Sequence, residues 1–298
     1  MVMKKFFLSL VSKVLNILPD HAPEYIYSTI LKPRPLRAMT NKLVTQLIKS
    51  EVEIPEGVIV LNQNDPVVSG ALSFGVYEIA ETKFFRKRIK SGMTVLDVGA
   101  NIGYFSIIFG ALVGNSGKVI SFEPSDENFS YLEKSIKRNE AGNITPVKSA
   151  LSDSDGESVL FISPDNKGDH RTYDSGDSRP TTRIQTITLD SYCARNSITC
   201  IDFMKIDVQG GEAAIFLGME NILKTNTKLK ILMEFWPYGL RLAGEDPLEL
   251  LHTIQRHGFV IKKLIGNSGD TELVKNLDDI LLSCKGAAYV NLYLSRTA

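Results

Sequence analysis

Four residue types in one short stretch could do chemistry. Gly99, Asn101 and Gly103, in "TVLDVGANIGYFS", form a glycine loop directly after an apolar run that contains Asp97. Glu123 ends the next such run, "KVISFE", about 20 residues later, the interval at which an acidic residue marks a ribose site. Two glycines let the backbone turn tightly and approach a ligand, and a carboxylate accepts hydrogen bonds from both hydroxyls of a ribose. The loop reads G-x-N-x-G, so Asn101 stands where a dinucleotide loop needs a second glycine against a pyrophosphate, and Asp97 adds negative charge there. A cofactor with a ribose and a cationic group but no phosphate fits better, and S-adenosylmethionine is such a molecule.

A second set could move a proton. Asp207 falls near the end of "FMKIDV" and Glu234 near the end of "LKILMEF", where carboxylates at strand ends can act as bases. His170 lies in the polar loop "PDNKGDHRTYDSGDSRPT", and an unperturbed imidazole titrates near working pH. Asp207 and Glu234 also suit a divalent cation, which takes oxygen ligands and would acidify a bound hydroxyl. Around these, Arg171 and Tyr173 could orient an acceptor, and Trp236 and Tyr238 could stack on a sugar ring. The same tryptophan pattern also suits core packing. His252 and His257 fall on a helix expected to pack away from the site, and His21 is weaker still.

Positioning these residues requires strands that end side by side. From Val76, "VYEIAETKFFRKRIKSG" has helical spacing and stops at Ser91-Gly92; beyond it, short β-rich runs alternate with helical ones: "TVLDVG", then Tyr104 to Leu112; "KVISFE", then Ser125 to Asn139; "ITPVKS"; "FMKIDV", then Glu212 to Lys224; "LKILMEF", then Pro247 to His257. That alternation means parallel strands with crossover helices on both faces, an α/β fold with ligands beyond the carboxyl ends of the strands. Ser125 is placed to cap its helix. "FVIKKLI" and "AAYVNLYL" read as a closing antiparallel pair, and "ESVLFIS" and "TRIQTITLD" as a hairpin-like insertion around the polar loop.

Residues 76–298 thus form one catalytic-type domain, and residues 1–75 an accessory segment of short helices, irregular chain and a hairpin. Phe6, Phe7, Leu10, Val14, Leu15 and Leu18 fall on one helical face; packing on protein is the first reading and membrane-surface contact the second. With 34 lysines and arginines against 34 aspartates and glutamates, no net field draws nucleic acid to the chain. The three cysteines form no C-x-x-C pair, which fits a reduced cytoplasmic setting. Nothing here sets an oligomeric state.

Over roughly Val76 to Leu264, the pieces "VYE", "GMTVLDVGANIGYFS", "VISFEPSDENFSYLEKSIKRN", "ALSD", "TLDSY" and "MKIDVQGGE", in that order, resemble the FkbM family of class I S-adenosylmethionine-dependent methyltransferases. The resemblance implies a Rossmann-like, mostly parallel seven-stranded sheet with an antiparallel last strand, and methyl transfer to a hydroxyl. It places Asp97, Gly99, Asn101 and Gly103 around the methionine part of the cofactor and Glu123 on its ribose. Ala150 and Asp153 of "ALSD" would flank the adenine, and Glu78 of "VYE" would close over the cofactor. Gln209 departs from the glutamate common in "KIDVEG". The reading is an O-methyltransferase for a sugar or other small hydroxylated metabolite; the alternatives are a lipid-linked saccharide at the membrane surface, or a cofactor-binding scaffold without turnover.

Overall fold

The computed structural model describes residues 34–296, so the N-terminal amphipathic pattern and His21 lie outside the described residues. Helix α1 (Arg34–Leu47) leads into a hairpin, β1 (Glu51–Ile54) and β2 (Gly57–Val60), then α2 (Val68–Phe74) and α3 (Ile79–Arg88). The regular unit follows: β3 (Thr94–Val98), α4 (Tyr104–Val113), β4 (Lys118–Phe122), α5 (Asp126–Arg138) and β5 (Ile144–Val147). Next come β6 (Ala150–Leu151), β7 (Gly156–Phe161) and β8 (Thr181–Ile187), then α6 (Leu189–Arg195) and β9 (Phe203–Ile206). The chain continues through α7 (Glu212–Leu217), α8 (Glu220–Thr225), β10 (Lys230–Phe235), α9 (Pro237–Leu242), α10 (Pro247–Arg256), β11 (Val260–Ile265), β12 (Asp270–Leu273), α11 (Leu277–Ser283) and β13 (Val290–Ser295).

The main sheet runs β12-β11-β13-β10-β9-β3-β4-β5. β10, β9, β3, β4 and β5 are parallel, and β13 pairs antiparallel with both β10 and β11. The expected seven strands are all present; β12 adds an eighth by folding back on β11 as an edge hairpin, a polar segment (Asp270, Thr271, Glu272) without the apolar alternation that would announce a strand. Because β4 and β5 lie on one side of β3 and β9 and β10 on the other, the strand order reverses at β3, which opens a crevice beyond its carboxyl end.

Alternation along the strands feeds two cores. Leu96, Val98, Met204, Ile206, Ile231 and Met233 pack on one face, whereas Val95, Phe203 and Leu232 join α3 and α4 residues such as Phe84, Phe85 and Phe105 on the other. The hairpin and α2 share the second core through Ile59, Leu61, Val68 and Leu72. The hairpin also hangs on α5: Val58 N–H donates to Asn139 Oδ1 at 2.8 Å and Val60 N–H to Ser135 Oγ at 3.0 Å.

Two helices differ from expectation. The helix anticipated from Val76 starts at Ile79, because Glu78 takes a left-handed φ of 48°. The single helix anticipated over Glu212 to Lys224 is two short ones, α8 being restarted by Asp190, whose carboxylate accepts the N–H groups of Asn221 and Ile222 at 2.8 and 3.0 Å. Ser125 does cap α5, accepting from Asn128 N–H. The β7–β8 hairpin forms with β6 a separate three-stranded sheet, and its long connection carries His170. No helix of the described residues is long and apolar enough to cross a membrane.

Candidate active site

The glycine loop joins β3 to α4 under tight constraint. At Gly99 (φ 78°) a Cβ would fall 1.9 Å from the Asp207 carbonyl oxygen, so the loop touches the end of β9 only because no side chain is there. At Gly103 (φ 90°) a Cβ would meet Leu132 Cδ1 at 2.8 Å. Asn101 between them is also left-handed (φ 51°), a conformation asparagine tolerates better than most residues. Its backbone N–H donates to Glu123 Oε2 at 2.9 Å, and Ser125 N–H donates to Oε1 at 2.9 Å. Burial pushes the Glu123 carboxyl up to about 7, against the pull of these donors and of Asn128. Asp97 is fully buried behind the loop, where Oδ2 accepts from the Ser106 hydroxyl at 2.6 Å and Oδ1 has no partner; burial raises its pKa.

A polar row crosses the sheet beside that loop. Asp97 is in register with Lys205, and Glu234 with Asn291, all among apolar neighbours. Lys205 Nζ lies 3.0 Å from Asp207 Oδ2 and 5.1 Å from the Phe105 ring centre. Burial opposes its charge, yet Asp207, Asp97 and Glu78 together hold its pKa above the ordinary lysine value. Gln209, left-handed at φ 56°, donates from Nε2 to Asp207 Oδ1 at 3.0 Å and to Glu234 Oε1 at 2.7 Å. Burial, followed by the charges of Asp207 and Glu212, drives the Glu234 pKa well above the usual carboxylate range. Burial does the same to Glu78, reinforced by Glu81, whose carboxylate accepts from Asn291 Nδ2.

The β7–β8 connection folds over this row and the loop. Phe161 and Arg171 form a backbone bridge, and the Arg171 guanidinium pairs with Asp169 at 2.8 and 3.1 Å while lying 4.9 Å from the Trp236 ring centre. Tyr173 donates its hydroxyl to the Gln209 carbonyl at 3.0 Å. Lys167 pairs with Glu127 at 3.0 Å, and its carbonyl accepts from Asn101 and Asn128 side-chain amides at 3.3 and 2.9 Å. His170 Nδ1 accepts the Ser163 N–H at 3.1 Å, so the neutral ring carries its hydrogen on Nε2. Burial lowers its pKa to about 4, with Lys167 adding to the effect. In that state the ring is a hydrogen-bond donor and has no lone pair to offer an acceptor's proton.

These elements enclose a cavity of about 1170 Å³. The structure brings Glu78, Gly99, Asn101, Glu123, Ala150, His170, Arg171, Asp207, Glu234 and Trp236 to its wall. Asp97 and Gly103 stand behind the wall, and Tyr173 braces Gln209 from outside it. Asp153 is in an exposed turn, accepting from the Ser152 and Ser154 hydroxyls. Tyr238 is exposed, its ring centre 5.7 Å from that of Trp236, and Trp236 is a buried residue that donates Nε1–H to the Ala287 carbonyl at 2.9 Å. Sequence reasoning passed over Lys205, Glu81 and Asn128, all on the wall. Lys205 had a signal: a charged residue inside an otherwise apolar strand.

The donor set suits a cationic cofactor without phosphate. Glu78, Glu81, Asp207 and Glu234 line the cavity with Lys205 and Lys263, while Lys167 and Arg171 are paired with Glu127 and Asp169; a bound cation would favour the ionised form of the carboxyls whose pKa burial raises. As a divalent-cation site, Asp207 and Glu234 are poorly disposed, since Lys205 and Gln209 aim hydrogens at three of their four oxygens. Among the described residues no three His, Cys, Asp or Glu side chains gather as a metal site.

Residues 97–261 match the family model described as the methyltransferase FkbM domain. Hexuronic acid methyltransferase AglP of Haloferax volcanii is 29% identical over 130 residues, 43% of this chain and 51% of that protein. Protein-L-isoaspartate O-methyltransferase 1 of Arabidopsis thaliana is 28% identical over 110 residues, 34% of this chain and 46% of that protein. The matches therefore span about half the length of these curated relatives. Among solved structures, the methyltransferase FkbM of Methylobacillus flagellatus KT aligns with a TM-score of 0.44 at 14% identity, over 92% of this chain and 60% of that one.

Proposed function

Because the chain belongs to the FkbM methyltransferase family, we propose that it methylates a hydroxyl of a saccharide-like small molecule using S-adenosylmethionine. The observation that carries this reading is one cavity with a carboxyl, Glu123, at the glycine loop where a ribose would lie and a half-buried carboxyl of raised pKa, Glu234, on the polar row. Glu123 and the backbone of Gly99 to Asn101 would hold the nucleoside, and Glu78 the cationic methionine part. When bound, the cofactor supplies an electrophilic methyl group.

The chain's own residues would align the acceptor and take its proton. Glu234 Oε1 is engaged by Gln209, which leaves Oε2 to receive the proton of the acceptor hydroxyl. A carboxyl with a raised pKa does this better than an ordinary one, because its proton affinity lies closer to that of the group it must deprotonate. Asp207, paired with Lys205, places a second carboxyl group beside Glu234. Trp236, buried with Arg171 over its ring and Gly239 packed against it, supports the wall of the acceptor site rather than stacking on a sugar ring. The sugar class takes its support from the hexuronic acid methyltransferase relative.

The test is calorimetric titration with S-adenosylmethionine and with NAD, followed by single-turnover transfer to a panel of uronic acids and neutral sugars. Binding of S-adenosylmethionine with transfer to a sugar hydroxyl is expected. NAD binding alone would sink the reading, and cofactor binding without transfer to any acceptor would leave a scaffold. One observation favours a lipid-linked acceptor as a second reading: Met39 and Leu43 are 58% and 57% exposed on α1, whose Thr40, Asn41 and Val44 border the cavity. A full-length chain that stays in the supernatant with anionic vesicles would set that second reading aside.

A further inference from the structure

Glu234 has a polar neighbour across its strand. Asn291 of β13 stands directly opposite it in the antiparallel ladder with β10, so the two side chains leave the same face of the sheet with their Cβ atoms about 5 Å apart. It is the face on which the pair two residues along, Leu232 and Tyr293, joins the core beneath α3. Glu234 and Asn291 are both half-buried, and both line the cavity. Each is tethered at one end only. Gln209 holds Glu234 Oε1, and Asn291 donates from Nδ2 to Glu81 Oε1. Among the described residues neither Glu234 Oε2 nor Asn291 Oδ1 accepts a hydrogen bond, and neither oxygen is sealed from solvent.

The orientation of the amide follows from its neighbour. Glu81 also accepts from its own backbone N–H and from the Glu78 carboxyl, so Asn291 presents its NH2 to Glu81 and keeps its carbonyl oxygen for the cavity. The lysines of the wall do not compete for that oxygen: Lys205 pairs with Asp207 and Lys167 with Glu127, while Lys263 is in register with Leu292 on the opposite face of the sheet. An amide oxygen accepts and cannot donate, so its partner must bring a hydrogen of its own. The order of the strands says where that partner lies. From the glycine loop at the end of β3 the sheet runs through β9 to β10 and then β13, which puts Asn291 one strand, about 5 Å, further from the loop than Glu234. The reacting hydroxyl sits between the cofactor and Glu234, so Asn291 meets the acceptor just beyond it. Two accepting oxygens side by side match two hydroxyls on adjacent carbons.

We propose that Asn291 is a specificity residue of the acceptor site: its Oδ1 receives the hydrogen of a second hydroxyl, on the carbon next to the one methylated, so that the enzyme selects a vicinal diol. The inference rests on the saccharide reading above, with Glu234 as the base, and narrows it.

Single-turnover transfer from S-adenosylmethionine to a set of methyl hexopyranosides, with the methylated position read from the products by NMR, supplies the parent sugar. Its monodeoxy analogues at the neighbouring carbons are the probes. With wild-type protein, one analogue should lose about tenfold in kcat/KM, the loss of one net hydrogen bond. Asn291→Ala should lose the same factor on the parent sugar and treat parent and analogue alike, since one bond cannot be removed twice. Asn291→Val, suited to a strand and equally without an acceptor, takes its place should the alanine variant not fold. A variant that slows parent and analogue equally, keeping the wild-type preference, makes Asn291 merely structural and overturns the proposal. So does wild-type protein that uses every analogue as well as the parent, or that methylates a hydroxyl with no free hydroxyl on either neighbouring carbon; these results need no variant. A chain that binds S-adenosylmethionine and transfers to none of the sugars removes the saccharide reading itself, and the proposal with it.

Discussion

The Glu123 end of the cavity is assembled from one continuous stretch, β3 through the start of α5, whereas the Glu234 end collects residues from α3, β9, β10 and β13. At the first end the contacts are backbone donors to a carboxylate, from Asn101 and Ser125, and they follow from where the strands stop. At the second they are side chain to side chain, Lys205 to Asp207 and Gln209 to Asp207 and Glu234. A site made by local turns survives as a unit wherever its stretch folds. One made by side chains across a sheet depends on register, and a change at any member leaves a buried charge unpaired.

The comparison breaks most visibly at Glu234. Glu234→Gln should lower single-turnover methyl transfer by roughly 10²–10⁴-fold, the range for removing a general base, with S-adenosylhomocysteine affinity unchanged. Wild-type turnover in that variant would move the base to Asp207. At the opposite end, Glu123→Ala should weaken S-adenosylhomocysteine binding by at least tenfold, each hydrogen bond to a charged acceptor being worth about 1.5–3 kcal/mol, and should leave the fold intact by circular dichroism. Full affinity in the folded variant removes Glu123 from the site.

A pH series sharpens the contrast. Burial holds Glu123 at about 7 in the folded protein against an ordinary 4.5, so below about 7 the carboxyl is protonated and must lose that proton before it can accept from two hydroxyls. Affinity for S-adenosylhomocysteine should therefore rise between about pH 6 and about pH 8, and Glu123→Gln should flatten the rise. The same shift has the opposite sense for the ligand-free fold. A raised carboxyl pKa favours folding fully below the unfolded value of 4.5 and ceases to do so as pH passes about 7, so the ligand-free melting temperature should fall over that interval. An affinity that falls with rising pH would contradict the assignment. The smallest expected effect is that of a chelator: with Lys205 and Gln209 occupying Asp207 and Glu234, turnover should be indifferent to its addition. Activity lost to chelator and restored by magnesium or manganese would put a cation between those carboxylates.

Much of the fold was legible because alternation and punctuation are local. The apolar runs ending at Val98, Phe122, Ile206 and Phe235 each became a strand of the main sheet, and Ser125 capped its helix. What misled was local too. The run Glu212 to Lys224 carries helical spacing throughout, but the capping carboxylate that divides it belongs to Asp190, distant in sequence. β12 is polar and became a strand through its partner β11.

The sequence by itself determined the order of strands and helices, the glycine loop and the carboxylate that follows it, since these depend on residue type and short-range spacing. Only the tertiary structure decided what the polar residues are. It made Asp97 a buried support for α4, paired Lys205 with Asp207, and tethered Glu234 to Gln209. It also turned His170 so that a backbone N–H occupies Nδ1 and burial keeps the ring neutral. The physical reason is that a titratable group's role is set by its solvation and by the charges and donors within a few ångströms, and those neighbours arrive from strands and loops far away along the chain.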